Sequence, residues 1–192
     1  RFDISAIDFD LLRREFAKVK KKNLVLKDLE ELIRMKLDKM LFANPERINY
    51  YERYQQIIDD YNSEQDRATI EKTFMDLMDL ANSMNQEEQR YVREGFASDE
   101  ELSLYDMLFR EDLSKNDIKK LKEVAASLLR KIKTKISELD HWTDKQETKA
   151  AVDNLIRDTL WAQLPECYDE VSISVYRQQI YEYVYTRYKE AA

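Results

Sequence analysis

A single glycine in 192 residues is the strongest constraint on what this chain can fold into. Glycine supplies the positive φ angles and close backbone approaches of phosphate cradles, P-loops and nucleophile elbows. Here only Gly95 can serve. Two prolines (Pro45, Pro165), one cysteine (Cys167) and one histidine (His141) complete a composition poor in turn formers, metal ligands and catalytic groups. The residues point to a helical scaffold, long enough to bury a core without disulfides or metal. A lone cysteine permits no internal bridge, as suits a reducing cytoplasm.

No apolar run approaches the roughly 18 residues that span a bilayer, so a soluble chain with no membrane partner is expected. It begins at Arg1 without a signal peptide and is expected to be part of a longer protein. The net charge of −7 argues against a uniformly basic surface, but the charge is unevenly spread. From Asp59 to Glu101 there are 13 acids and four bases; from Lys115 to Lys135 there are eight bases and two acids.

Helical periodicity runs through almost the whole chain. Asp8 to Lys21 carries Phe9, Leu12, Phe16 and Val19 on one face and ends in Lys20, Lys21 and Lys22. Leu29, Leu32, Ile33, Leu37, Met40 and Leu41 mark a second helix, closed by Asn44-Pro45. Asn44 should cap a third, with Pro45 at its first position and Tyr51, Tyr54 and Ile57 inside. A fourth runs from near Glu64 to Met84, after which Asn85 is expected to cap a short helix ended by Gly95. Ser98 with Glu101 reads as a capping box. Ser114 starts the longest helix, whose seam is Ile118, Leu121, Ala125, Leu128, Ile132, Ile136 and Leu139. Thr143 with Gln146, or Asp144 with Glu147, should cap a helix bearing Val152, Leu155, Ile156 and Leu160. Val171 to Tyr188 is read as helix, although its tyrosines and β-branched residues would also suit a strand. The expected fold is all-α, an array of about nine helices with no substantial sheet, divided into residues 1–85 and 86–192.

Several residue patterns imitate chemical sites. Asp60, Asn62, Glu64, Asp66 and Glu71 follow calcium-loop spacing, but Gln65 stands where the loop needs glycine, so an acidic helix junction is expected. Asp140, Asp144 and Glu147-Thr148-Lys149 resemble half of a magnesium nuclease site, yet they fall in the first turns of a helix rather than on a strand. Gln179 and Tyr183 match a nuclease accessory spacing alone. His141 lacks a nucleophile partner and Cys167 a second ligand, so both are read as structural. No catalytic or metal residue is assigned.

Two groups remain as binding candidates. Lys119, Lys122, Arg130 and Lys133 lie on one flank of the long helix's seam and Lys120, Lys131 and Lys135 on the other. With Lys115, and with Lys20, Lys21 and Lys22 as a second run, they could contact phosphates or form a solvated face. Tyr176, Tyr181, Tyr183, Tyr185 and Tyr188 could stack unpaired bases or pack the last helix on its neighbours. Packing is the preferred reading, and the surplus of aromatic surface also makes them partner-interface candidates.

The chain also carries a set of distributed words. These are Asn44-Pro45-Glu46-Arg47, Tyr54-Gln55-Gln56-Ile57-Ile58, Asp60-Tyr61-Asn62, Thr69-Ile70-Glu71, Glu94-Gly95-Phe96, Glu101-Leu102-Ser103-Leu104-Tyr105-Asp106 and Leu139-Asp140-His141-Trp142. With Leu164-Pro165 and the tyrosine-rich end, the chain resembles the C-terminal part of the motor (R) subunit of type I restriction-modification enzymes. His141 departs from the pattern, standing inside what is more often a direct Asp-Trp pair. The resemblance implies a bacterial, cytoplasmic, non-catalytic fragment made of the helical region after the motor and the terminal domain. It implies docking on the methyltransferase core and contact with double-stranded DNA, while ATP, magnesium, nuclease and translocase belong to upstream parts of the subunit. A stand-alone helical interaction or regulatory module is the alternative.

Overall fold

Most of the predicted apolar stripes are buried, and each acquires a partner helix. The computed structural model describes residues 9–63 and 67–189. Among these residues the fold is all-α, with nine α-helices, a 3₁₀ turn and no strand. The chain divides into two units, Arg1–Arg90 and Tyr91–Ala192, each with its own hydrophobic core.

The first unit contains α1 (Phe9–Lys18), α2 (Lys22–Ala43), α3 (Ile48–Ser63) and α4 (Arg67–Glu88). α4 packs against both α2 and α3. Its core joins Leu26, Leu29, Ile33, Leu37 and Met40 of α2 to Tyr54 and Ile57 of α3 and to Phe74, Leu77, Met78 and Met84 of α4. Each such aliphatic side chain contributes about 1.5–3 kcal/mol by leaving water. Asn44 accepts from the Glu46 amide at 3.1 Å, and Pro45 opens the 3₁₀ turn Pro45–Arg47 that leads into α3.

In the first unit two boundaries differ from the sequence expectation. α1 ends at Lys18 rather than Lys21, and Lys22 already belongs to α2. The Lys22 ammonium lies 2.9 Å from Glu71 and 5.4 Å from the centre of the Phe16 ring, an anchor at the point where the chain turns. Asn85 does not cap a new helix, because α4 continues through it to Glu88. The Asn85 side chain accepts from Lys36, and Glu87 turns inward to Arg47, so the added turn is held by tertiary contacts. Asp8, the Phe9 side chain, Glu64 and Asp66 lie outside the described residues.

A single turn, α5 (Arg90–Arg93), leads to Gly95, whose φ of 82° lets the chain reverse. There the Gly95 amide donates to Val92 and the Phe96 amide to Tyr91. The second unit then closes a ring of four helices, α6 (Asp99–Leu108), α7 (Lys115–Ser137), α8 (Gln146–Gln163) and α9 (Glu170–Arg187). α6 packs on α7, α7 on α8, α8 on α9, and α9 back on α6. The predicted α7 seam lies inside, widened by Val124 and Leu129, and faces Val152, Ile156 and Leu160 of α8 and Ile173, Ile180 and Val184 of α9 in one core.

Caps explain the helix starts. Ser98 accepts from the Glu101 amide at 3.3 Å, although Glu101 accepts in return from Ala97 rather than from Ser98. Ser114 and Asp117 form the complete reciprocal box at α7. Asp169 accepts from the Ser172 amide at 2.8 Å and starts α9, confirming helix for the tyrosine-rich segment. Neither Thr143 nor Asp144 caps α8: Lys145 occupies that position without a side-chain bond. Burial of Trp142 dominates here. Its indole is fully buried, the preceding His141 takes a φ of 45°, and the Thr148 hydroxyl donates to the Trp142 carbonyl at 2.7 Å.

Candidate nucleic-acid interface

The basic helix α7 presents its lysines away from the seam, as an amphipathic helix must, but the fold divides them into two kinds. Lys122 is held by Glu94, with its ammonium 2.8 Å from the carboxylate and 3.0 Å from the Glu94 carbonyl. The same ammonium lies 5.7 Å and 5.8 Å from the Phe96 and Tyr105 ring centres, a favourable position for a cation. Lys133 pairs with Glu100 at 2.6 Å and lies over the Tyr188 ring. Lys135 is 3.9 Å from Glu138. These three cations are already matched by local acids.

Lys115, Lys119, Lys120, Arg130 and Lys131 are exposed and form no ion pair among the described residues. Lys119 and Arg130 are eleven residues apart, as are Lys120 and Lys131. Eleven residues make three turns, so each pair lies on one line of the helix about 16 Å long. One strand of a duplex presents a phosphate about every 3.4 Å along the axis, so this length spans several phosphates. Glu123, also exposed, is the one acid between the two pairs. Arg130, Lys131 and Lys135 further line a shallow groove with Thr134, Glu138 and Leu155 of α8.

The second basic run is smaller. Lys20 and Lys21 are exposed between α1 and α2, while Lys22 is committed to Glu71.

The five tyrosine candidates sit on the inner side of α9. Tyr183 is buried, and Tyr176, Tyr181, Tyr185 and Tyr188 are half-buried against the core of the second unit. Tyr181 and Tyr185 meet Trp142 edge-on at 6.2 and 5.8 Å, and Tyr176 meets Tyr168 at 5.7 Å. Burial pushes the Tyr183 and Tyr188 hydroxyls above the ordinary phenol range, with nearby Glu100 acting in the same direction on Tyr188. Burial also lowers the Arg187 guanidinium, which stacks over Tyr183 at 4.0 Å.

Among the described residues the remaining patterns are not brought together as chemical sites. Asp60 and Asn62 are exposed on α3, and Glu71 belongs to Lys22. Asp140, Asp144 and Glu147 are exposed around the start of α8. Gln179 points to solvent and Tyr183 to the core. His141 is exposed, 3.5 Å from Asp140, and Cys167 is a free, exposed thiol. Among the described residues no cluster of metal-ligating side chains forms and no helix is long and apolar enough to cross a membrane.

Sequence reasoning missed one charged centre. Arg47 and Glu87 are 2% and 7% exposed and meet at 3.1 Å. Glu87 also accepts from Arg90 at 2.9 Å and from the Tyr50 hydroxyl at 3.5 Å. Burial and the Glu87 carboxylate together push the Tyr50 hydroxyl upward. The available signal was Arg47 itself, a long cation two residues after a helix-opening proline.

No curated protein and no solved structure matches the chain at a significant level. A family model does, over residues 1–181. Nearly the whole described chain is thus accounted for by one family, and the distributed words quoted above fall within it. The chain belongs to the family described as type I restriction enzyme HindI endonuclease subunit-like, C-terminal.

Proposed function

We propose that this chain is a non-catalytic module of a type I restriction enzyme's motor subunit, docking that subunit on the methyltransferase core and contacting duplex DNA without reading sequence. The observation that carries the reading is the set of exposed, unmatched cations on α7: Lys119, Lys120, Arg130 and Lys131. Clustered cations of this kind bind phosphates by displacing condensed counterions and carry no base information. ATP and magnesium would act in upstream parts of the parent subunit, where translocation and cleavage would occur.

The test is a motor subunit carrying Lys119→Glu, Lys120→Glu, Arg130→Glu and Lys131→Glu, assembled with the methyltransferase core. Co-purification should persist while affinity for every duplex falls together. Unchanged DNA affinity in the assembled complex would contradict DNA contact through α7. Removing residues 176–192 should instead weaken co-purification, and an unchanged complex would contradict docking through the terminal helix.

A second reading is a protein-interaction module without DNA contact. It is favoured by Val171 and Val175, which lie one turn apart on the outer side of α9 and are 72% and 50% exposed. Under this reading the α7 cations are a solvated face.

A further inference from the structure

α2 has two apolar stripes, and only one of them is in the core. Leu26, Leu29, Ile33, Leu37 and Met40 are buried, whereas Leu24, Met35 and Phe42 are 59%, 52% and 56% exposed. The exposed three are eleven and seven residues apart, three and two turns, so they form a line along the side of α2 opposite the core. Exposed apolar residues scattered singly need no explanation, but a line along one helix does.

The charges beside this line alternate. Lys27, Glu31, Arg34 and Asp38 run along one flank, with Asp28 and Lys39 on the other. All six are exposed and none makes an ion pair among the described residues, although Lys27 and Glu31 are spaced to do so.

We propose that this face of α2 pairs antiparallel with the same face of a second copy of this chain, about a two-fold axis level with Ile33. Such an axis brings each flank against its own copy, so the interface must be self-complementary. The sequence meets that condition. Levelling Glu31 with Arg34 of the second copy also levels Lys27 with Asp38. It sets Asp28 within about 3 Å of Lys39 along the axis, and Leu24 within about 1.5 Å of Phe42. Met35 falls near the axis, within about 4 Å along the helix. All six charges thus face an opposite charge. A parallel pair would oppose Lys27 to Asp28 and Asp38 to Lys39 but leave Glu31 and Arg34 facing no opposite charge. One helix face is at the small end of specific interfaces, about 1,200 Å², so micromolar self-association is expected.

Sedimentation of the 192-residue chain across about 1–100 µM tests this. The wild type should shift from monomer to dimer. Lys27→Glu or Asp38→Lys alone places like charges at both symmetric contacts and should weaken association about tenfold. The double swap re-pairs opposite charges and should restore it, a recovery that parallel pairing does not predict. Met35→Glu should abolish the dimer independently of these pairs. All the substituted side chains are exposed, so circular dichroism should be unchanged. A chain monomeric at the highest concentration, a double swap as weak as the single variants, or a dimer indifferent to Met35→Glu would each overturn the proposal. DNA affinity of the same variants is expected to be unaffected, which separates this test from that of α7.

Discussion

The indole nitrogen of Trp142 donates to the Tyr188 carbonyl at 2.6 Å, tying the loop before α8 to the C-terminal end of α9. The ring is fully buried and meets Tyr181 and Tyr185 edge-on, so one side chain closes the four-helix ring where its last helix would otherwise fray. Trp142→Phe removes the donor and part of the volume and should cost the second unit about 2 kcal/mol. Trp142→Ala should cost about 4 kcal/mol. Denaturant unfolding followed by far-ultraviolet circular dichroism measures both; a cost near zero would show that the loop is not held by this residue.

The buried Arg47–Glu87 pair makes the opposite kind of contribution in the first unit. Glu87 is the carboxylate shared by the buried Arg47 and by Arg90, so Glu87→Ala should destabilise that unit by about 3–5 kcal/mol. Replacing Arg47 and Glu87 together by Met and Leu should cost markedly less, because no buried charge remains. The comparison needs only unfolding curves of the two variants, and equal losses would contradict it.

Gly95 separates backbone strain from crowding. A Cβ there meets no atom within 4 Å, while its φ is 82°. Gly95→Ala should therefore cost about 1 kcal/mol through the left-handed backbone alone, and Gly95→Asn less, since asparagine tolerates that region better. A larger loss for Asn than for Ala would point to packing instead.

Alkaline pH should weaken the first unit through Tyr54. Burial, reinforced by the Glu30 carboxylate that its hydroxyl meets at 3.3 Å, pushes it up to about 12 from 10.0. A raised folded value means its contribution is fully present below pH 10 and is lost as pH rises through about 12. Unfolding free energy should thus begin to fall above pH 10, and Tyr54→Phe should reduce that fall. Ultraviolet titration should show native Tyr54, Tyr168 and Tyr188 ionising later than free tyrosine, since burial raises all three.

The helices themselves were legible because periodicity reports which face leaves water. Ile33, Leu37 and Met40, the α7 seam and the helix start at Ser114 need only local spacing to be recognised. Pairing between helices is not periodic. Nothing local in the sequence shows that Lys122 is matched by Glu94, Lys133 by Glu100 or Arg47 by Glu87, and these pairs decide which cations stay available. The α8 cap failed for the same reason: Thr143 and Asp144 have the right chemistry, but burying Trp142 sets the path of the chain.

The salt dependence of duplex binding by the assembled enzyme reads out phosphate contact through α7. Each phosphate contact contributes about 0.9 to the slope of log affinity against log salt. Charge reversal of Lys119, Lys120, Arg130 and Lys131 should weaken binding to all sequences alike and flatten the slope by up to about 3.6 units. Lys122→Gln and Lys133→Gln, which lose internal partners instead, should lower stability and leave the slope unchanged. A slope and affinity unmoved by the four reversals would contradict DNA contact through α7.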